Sequence, residues 1–466
     1  PNYQRTNPVN KMSSFAPASE SGAKATSFDP AKGAWPHIKK IAYEGADSRN
    51  PLAFKHYNES EVVHGKTMKD WLRFSVCYWH TFRGTGADPF GFPTLPRPWD
   101  DGSDSVANAK VRIDVAFEFF VKLGVEYYTF HDADVSPEGK NLAETNKIFD
   151  EISDYLLVKQ KETGIKLLWG TSNLFSAVRF MNGGATNPDA HAFAYAAAKV
   201  KKCMEITHKL GGVNYVFWGG REGYQSILNT DVRRELDHFA EFFHMAIAHK
   251  KKIGASFQFL IEPKPREPTK HQYDYDAQTT MGFLNHYGLQ NDFKLNIEPN
   301  HTTLAGHDYE HDMWVSSLYG MLGSVDSNTG DTLLGWDTDQ FPMDVKKATL
   351  TMLIILRQNG LDPGGLNFDC KVRRESTNLD DMFIAHIGAM DTFARGLKAA
   401  SALINDKTMD GMVAERYSSF DSGIGKKVEE KKTSFEELAA YAEKEGEPEK
   451  RSGQQELYEM HLNYFC

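Results

Sequence analysis

The sequence predicts an α/β protein built on a closed (β/α)8 barrel, with an N-terminal extension and a helical C-terminal arm. Three observations predict it. Eight short runs rich in β-formers recur between about Asp70 and Lys371, each bounded by Gly, Pro or Asn. Longer segments of helical period lie between them. The runs end on polar or charged residues, as in "QFLIEPKP" with Glu262 and "KLNIEPNH" with Glu298. A doubly wound open sheet is the alternative arrangement of the same alternation.

The elements follow in order. The first ~40 residues are rich in Ser, Ala, Asn and Pro and show no period, so residues 1–50 are expected to form an extension, as an arm or a disordered leader. The barrel is expected over residues 51–399. Its strand candidates are "RFSVCYWH", "VEYYTFHD", "IKLLWG", "VNYVFWGG", "SFQFLIEP", "KLNIEPNH", "GMLGSVDSN" and "GGLNFDCK". Near-continuous apolar runs of this kind mark parallel strands covered on both faces. Among the helices, "SVANAKVRIDVAFEFFVKLG" opens on a serine cap and closes at Gly124. "DVRRELDHFAEFFHMAIAHKKKIG" opens at Asp231, closes at Gly254 and lines up Leu236, Phe239, Phe243 and Ile247 on one stripe. Past Ala400 the strand signals stop. Charged helical pieces such as "KKVEEKKTSFEELAAYAEKEGEPEK" make residues 400–466 an arm that packs on the barrel or on a neighbouring subunit.

Bulk properties narrow the class. A chain of 466 residues is long enough for one large barrel with an appendage. The formal charge of −10 argues against nucleic acid as the main partner. No run of about 18 apolar residues exists, so no membrane span is expected. The opening residues carry no apolar core of the secretory type. Cys77, Cys203, Cys370 and Cys466 lie far apart without a CxxC spacing, which fits free thiols in a reducing, cytoplasmic setting. The glycosylation sequons at Asn58 and Asn300 are read as chance matches.

In a barrel the C-terminal strand ends form the active-site mouth. The polar residues there are His80, His131 with Asp132 and Asp134, Thr171, Glu262 with Lys264, Glu298 with His301, Asp326 and Asp369. The loop "GWDTDQF" adds Asp337 and Asp339. A single acid after a strand is more often a helix cap or a surface charge, but acids at four strand ends share one mouth. Two carboxylates ~4 Å apart repel by about 4 kcal/mol at an effective dielectric near 20. Divalent cations remove that repulsion, and many carboxylates with one imidazole suit Mg²⁺, Mn²⁺ or Co²⁺ better than structural zinc. A two-metal site is therefore expected. Lys264 lies on the same side as Glu262 by the strand period and is a candidate to hold a substrate oxygen. His131 with Asp134 three residues on has the spacing of an oriented acid/base. Trp79, Trp169, Phe175 and Trp218 are core aromatics by default, and at strand ends some can wall a sugar-sized pocket.

The motifs "WHTFRGTGADPFG", "FHDADVSPEGK", "WGTSNLF", "YVFWGGREGYQ", "LIEPKPREPTKHQYDYD", "IEPNH", "GWDTDQFP" and "GGLNFDCK" closely resemble xylose isomerases, specifically their longer class. The resemblance runs from about Phe54 into the C-terminal region. It implies a (β/α)8 TIM barrel with a C-terminal arm, assembled as a homotetramer and using two divalent cations per subunit. The implied substrate is a small sugar, D-xylose to D-xylulose and more slowly D-glucose to D-fructose. By motif, one ion belongs to Glu262, Glu298, Asp326 and Asp369. The other belongs to Glu298, His301, Asp337 and Asp339. His131 oriented by Asp134 is implied to assist ring opening, and Lys264 to contact the carbonyl oxygen. Trp79, Phe175 and Trp218 become apolar walls, Thr171 a substrate neighbour, and Phe90 a visitor from a neighbouring subunit. A metal-assisted hydride shift from C2 to C1 is what the resemblance implies, whereas the residues alone leave an enediol route open. One departure stands out: Pro299 follows the bridging Glu298 where the family has a small residue, a change able to shift His301.

Two other classes fit these residues less well. A metal-dependent phosphodiesterase on a similar barrel calls for more histidine ligands and a basic groove. A sugar-binding protein with structural metals has no use for the His131 and Asp134 pair or for Lys264.

Overall fold

The computed structural model describes residues 28–466. Eight parallel strands close into a barrel, and each pairs with its neighbours in chain order. They are β1 (Phe74–Cys77), β2 (Tyr127–His131), β3 (Lys166–Thr171), β4 (Asn214–Trp218), β5 (Gln258–Glu262), β6 (Phe293–Ile297), β7 (Leu322–Asp326) and β8 (Leu366–Phe368). Six fall inside the runs read from the sequence, and β3 and β6 overrun theirs by one residue, at Thr171 and Phe293. The barrel helices are α1 (Val106–Leu123), α2 (Leu142–Thr163), α3 (Ala190–Lys209), α4 (Val232–Lys252), α5 (Ala277–His286), α6 (His311–Leu318), α7 (Val345–Arg357) and α8 (Asp381–Asp406). The result is a TIM barrel, not the open sheet.

Local chemistry sets the helix ends. Ser105 Oγ accepts from Asn108 N at 3.1 Å at the start of α1, and Gly124 ends it at φ 85°, a left-handed conformation that a Cβ disfavours. Asp231 caps α4 in the same way, accepting from Arg234 N. Phe239, Phe243 and Ile247 are buried on the α4 stripe, with Phe243 against Phe217 and Phe293 of the sheet.

The main core lies between sheet and helices, and the barrel interior is divided. On the β2 to β5 side it is apolar, built from Tyr127, Leu168, Trp169, Val216 and Leu260. On the other side it is a polar layer. Ser75 Oγ and Thr129 Oγ1 each donate to Asn367 Oδ1 at 2.9 Å, and Asn367 Nδ2 donates to Asp326 Oδ1 at 2.8 Å.

Of the expected extension, residues 1–27 lie outside the described residues. Its remainder packs on the barrel helices: Trp35 is buried between Trp99, Phe119 and Phe383, with Nε1 donating to Leu379 O. Past α8 come four short helices, Thr408–Tyr417, Gly423–Glu429, Phe435–Glu445 and Gln455–Asn463. Their side chains are largely exposed, and His461 ties the last one back to Asp406 at 3.0 Å. Among the described residues no helix is long and apolar enough to cross a membrane.

Candidate active site

The strand period brings the acids together. Glu262 and Asp326 are the last residues of β5 and β7, while Glu298 and Asp369 directly follow β6 and β8. One carboxylate oxygen from each of these four lies within 4.8 Å of the others. Glu298 belongs to two more such groups, one with Asp337 and Asp339 and one with Glu262 and His301.

His301 sits on the short helix Pro299–Leu304, which Glu298 starts. Pro299 is its first residue, where no N–H is needed for the helix ladder, so the proline removes no hydrogen bond there. His301 Nδ1 faces Pro263 O at 3.1 Å, and a carbonyl only accepts, so this nitrogen carries the proton. Nε2 then points at Glu298 Oε1 (3.2 Å) and Asp337 Oδ2 (3.0 Å). A neutral imidazole in that pose aims a lone pair at two carboxylates, which is unfavourable alone and favourable around a cation.

A floor of amides supports the cluster. Asn296 Nδ2 donates to both Glu262 Oε2 and Asp326 Oδ2 at 2.9 Å. Asn328 Nδ2 donates to Glu298 Oε1 at 2.7 Å and to Asp369 O at 3.0 Å. Cations close the sides. Lys264 Nζ reaches Asp337 Oδ2 at 2.8 Å and Glu267 Oε2 at 3.2 Å, and Lys371 Nζ reaches Asp339 Oδ2 at 2.9 Å. His80 Nε2 lies 3.0 Å from Asp339 Oδ2 and 3.1 Å from Asp369 Oδ1.

Without a bound ion these groups resist ionisation together. Burial, followed by the charges of Asp326 and Asp369, pushes Glu262 well up. Burial with Asp337 and Asp369 does the same to Glu298, and burial with Asp369 takes Asp326 to about 8. Asp339 is also raised, by burial and by Asp337. Asp337 goes the other way: burial opposes its ionisation, but the Lys264 ammonium beside it holds it well below the usual range. This donor set, all oxygen apart from one imidazole and poised to shed protons, fits hard divalent cations.

Opposite the acids stands an aromatic wall. The cavity between them has a volume of about 360 Å³. His131 lies in it, its ring 4.5 Å from Trp79 and 5.5 Å from Phe175, and Phe175 packs edge-on to Trp218 at 4.5 Å. Asp134 Oδ2 accepts from His131 N at 2.8 Å and faces His131 Nδ1 at 3.0 Å, so the ring is held in one orientation. Burial lowers the affinity of His131 for a proton, but Asp134, with Asp369 and Asp132 behind it, more than offsets this and the net shift is upward.

Trp79, His131, Thr171, Phe175, Trp218, Glu262, Lys264, Glu298, His301, Asp337, Asp339 and Asp369 all line this cavity. Asp326 lies buried among its partner acids, and Asp134 behind His131. The Thr171 hydroxyl donates to Val216 O at 2.6 Å, so it serves the strand pair. Phe90 is outside this cavity, 79% exposed, with its ring 5.7 Å from Trp336. Sequence reasoning missed the roles of Glu267, Lys371 and His80, and the supporting amides Asn296, Asn328 and Asn367. A signal existed for two: Asn296 and Asn367, on β6 and β8, stand two residues before Glu298 and Asp369, hence on the same face by the strand period.

A family model described as the XylA2 C-terminal domain matches residues 413–466. Over 433 residues the chain is 58% identical to a xylose isomerase of Rhodopirellula baltica, covering 93% of this chain and 99% of that one. It is 54% identical over 440 residues to a xylose isomerase of Arabidopsis thaliana, covering 94% and 92% of the two chains. It is 54% identical over 428 residues to a xylose isomerase of Caldicellulosiruptor bescii, covering 92% and 98%.

Proposed function

The chain belongs to the xylose isomerase family and is a sugar isomerase, and from that premise we propose that it interconverts D-xylose and D-xylulose, and D-glucose and D-fructose more slowly. The observation that carries this reading is the meeting of Glu262, Glu298, Asp326 and Asp369 opposite an aromatic-walled cavity that holds an oriented histidine.

We assign two divalent cations per subunit, Mg²⁺ or alternatively Mn²⁺ or Co²⁺. Glu262, Glu298, Asp326 and Asp369 would hold one; Glu298, His301, Asp337 and Asp339 would hold the other. Bound there, such cations supply Lewis-acid polarisation of sugar oxygens and relieve the repulsion among the acids. The chain's own groups do the rest. His131, its Nδ1 side fixed by Asp134, presents the opposite ring nitrogen to the ring oxygen of the cyclic sugar and manages the proton of ring opening. Lys264 donates to the carbonyl oxygen of the open chain. Trp79, Phe175 and Trp218 exclude water from C1 and C2. That exclusion keeps the migrating hydrogen from exchanging with solvent, as a hydride shift requires.

Phe90 and its neighbour Phe92 are exposed, as are Phe435 and Tyr464 in the C-terminal arm, which supports a homotetramer in which Phe90 enters a neighbour's cavity. The C-terminal segment past residue 400 is assigned to the same contacts. Three of the four free cysteines are buried, in keeping with a reducing cytoplasm.

The test is an assay of metal-depleted protein for ketose formation from D-xylose, before and after Mg²⁺, Mn²⁺ or Co²⁺ is returned. Activity restored by the cation supports the assignment, and no ketose under any cation overturns it. With D-xylose deuterated at C2, the hydride route requires the label to be kept at C1 of the ketose, and washout into solvent overturns it.

A further inference from the structure

Behind the histidine side of the cavity lies a buried ion pair that the mechanism above does not use. Lys199, on α3, is 5% exposed and does not line the cavity. Its Nζ lies 3.0 Å from Asp132 Oδ2 and 3.1 Å from Glu138 Oε1, and Glu138 also pairs with Arg179. Asp132 directly follows His131, and its other oxygen is busy. Oδ1 accepts from Ala133 N and from Asn173 N, both at 2.8 Å. The first bond shapes the turn that carries His131 and Asp134. The second crosses to the loop after β3.

That loop is an Asx turn that presents Phe175. Asn173 Oδ1 accepts from Phe175 N at 3.2 Å and from Ser176 N at 2.9 Å. The connection therefore runs from Lys199 through Asp132 to Asn173 and on to Phe175, whose ring faces both His131 and Trp218. One carboxylate ties together the two loops that carry the ring-opening histidine and the aromatic wall. A buried carboxylate keeps such a pose only while its charge is matched, and Lys199 supplies the match.

We propose that Lys199 and Asp132 are positioning residues that lock the His131 turn to the Phe175 loop and so set the width of the sugar site between the two rings. The inference rests on the isomerase reading. A shift of about 1 Å in either ring is enough to cost roughly 10²-fold in rate.

Two double variants separate positioning from charge balance, since both remove the Lys199 and Asp132 charges together and leave Glu138 paired with Arg179. Lys199→Met with Asp132→Asn keeps an acceptor for Asn173 N. Lys199→Met with Asp132→Ala removes it. The first is expected to keep kcat and KM for D-xylose within about threefold of the unmodified enzyme, and the second to lose roughly 10²-fold in kcat/KM with a raised KM. Lys199→Met alone, where it folds, is expected to resemble the second. Kinetics are normalised to folded protein, so a merely stabilising ion pair changes the melting temperature of all variants and the KM of none. Equal kcat and KM in the two double variants overturns the proposal. Crystal structures of both variants give a readout independent of activity. A displaced Phe175 ring in the alanine form alone supports positioning, and unmoved rings reject it. If the unmodified enzyme forms no xylulose, the isomerase reading falls while the ring positions still decide this one.

Discussion

Lys264 Nζ lies 2.8 Å from Asp337 Oδ2, so the lysine over the Trp218 ring is held by an acid assigned to cation binding. Lys264 is buried and Asp337 half-buried, and each is the other's compensating charge. Lys264→Met is expected to lower turnover of D-xylose by roughly 10²–10³-fold, the effect of losing one donor to a developing oxyanion. In metal-depleted protein it also leaves Asp337 unmatched, at a loss of about 3–5 kcal/mol in denaturant unfolding. Unchanged turnover would remove Lys264 from the role given to it.

His131→Ala is expected to reduce kcat/KM by roughly 10²–10⁴-fold, as for a group that manages a proton in the reaction. Asp134→Asn keeps an acceptor for the backbone N–H of His131 but removes the charge behind the ring, so its loss is expected to be smaller. Steady-state kinetics on D-xylose check both, and a larger effect from Asp134→Asn would reverse the assigned order.

The acid cluster makes the metal-free protein sensitive to pH in a definite direction. Glu262, Glu298 and Asp339 are raised in the folded state, and Asp326 to about 8. The folded chain therefore holds protons that the unfolded chain has already released, and stability from these groups is lost as pH climbs towards 8. His80 acts in the same sense: burial opposes its charge but Asp339 and Asp369 raise it to about 9, and its contribution fades as pH rises through that value. Asp337, lowered, contributes fully above the ordinary aspartate range and does not vary in this window. The melting temperature of chelated protein is expected to fall between about pH 5 and pH 8, and the gap to Mg²⁺-loaded protein to widen. Calorimetry across that range with and without EDTA checks it; a gap independent of pH would contradict it.

Asn296 spans Glu262 and Asp326 with one amide, donating 2.9 Å hydrogen bonds to both. Asn296→Ala frees two assigned ligands to turn. Cation affinity is expected to fall by about 10–100-fold, measured by Mn²⁺ titration of metal-depleted protein. Affinity unchanged from the parent would show that the floor of amides does not orient the acids.

The barrel was legible because its strands are covered on both faces. Runs such as "VNYVFWGG" and "SFQFLIEP" need no partner information to be read as buried, and β4 and β5 fall within them. Ser105, Gly124 and Asp231 announced their helix ends through local hydrogen bonding alone. The acids stood out because a carboxylate at the end of an apolar run has little other reason to be there. What was hidden depends on the third dimension. Asn296 and Asn367 look like weak points in a strand until the barrel turns them beneath the acids. Lys199 and Asp132 are separated by α2 and β3 and meet only through packing. Trp35 lies in a stretch without period, yet its indole is buried against α1 and α8.

The central claim is that acids from separate strands gather two cations at one end of the barrel. It is tested most directly by the anomalous difference map of a crystal grown with Mn²⁺. Two peaks are expected, both beside Glu298, one among Glu262, Asp326 and Asp369 and the other among His301, Asp337 and Asp339. A map with no peak among these side chains, or with the acids turned to separate surroundings, would contradict the account.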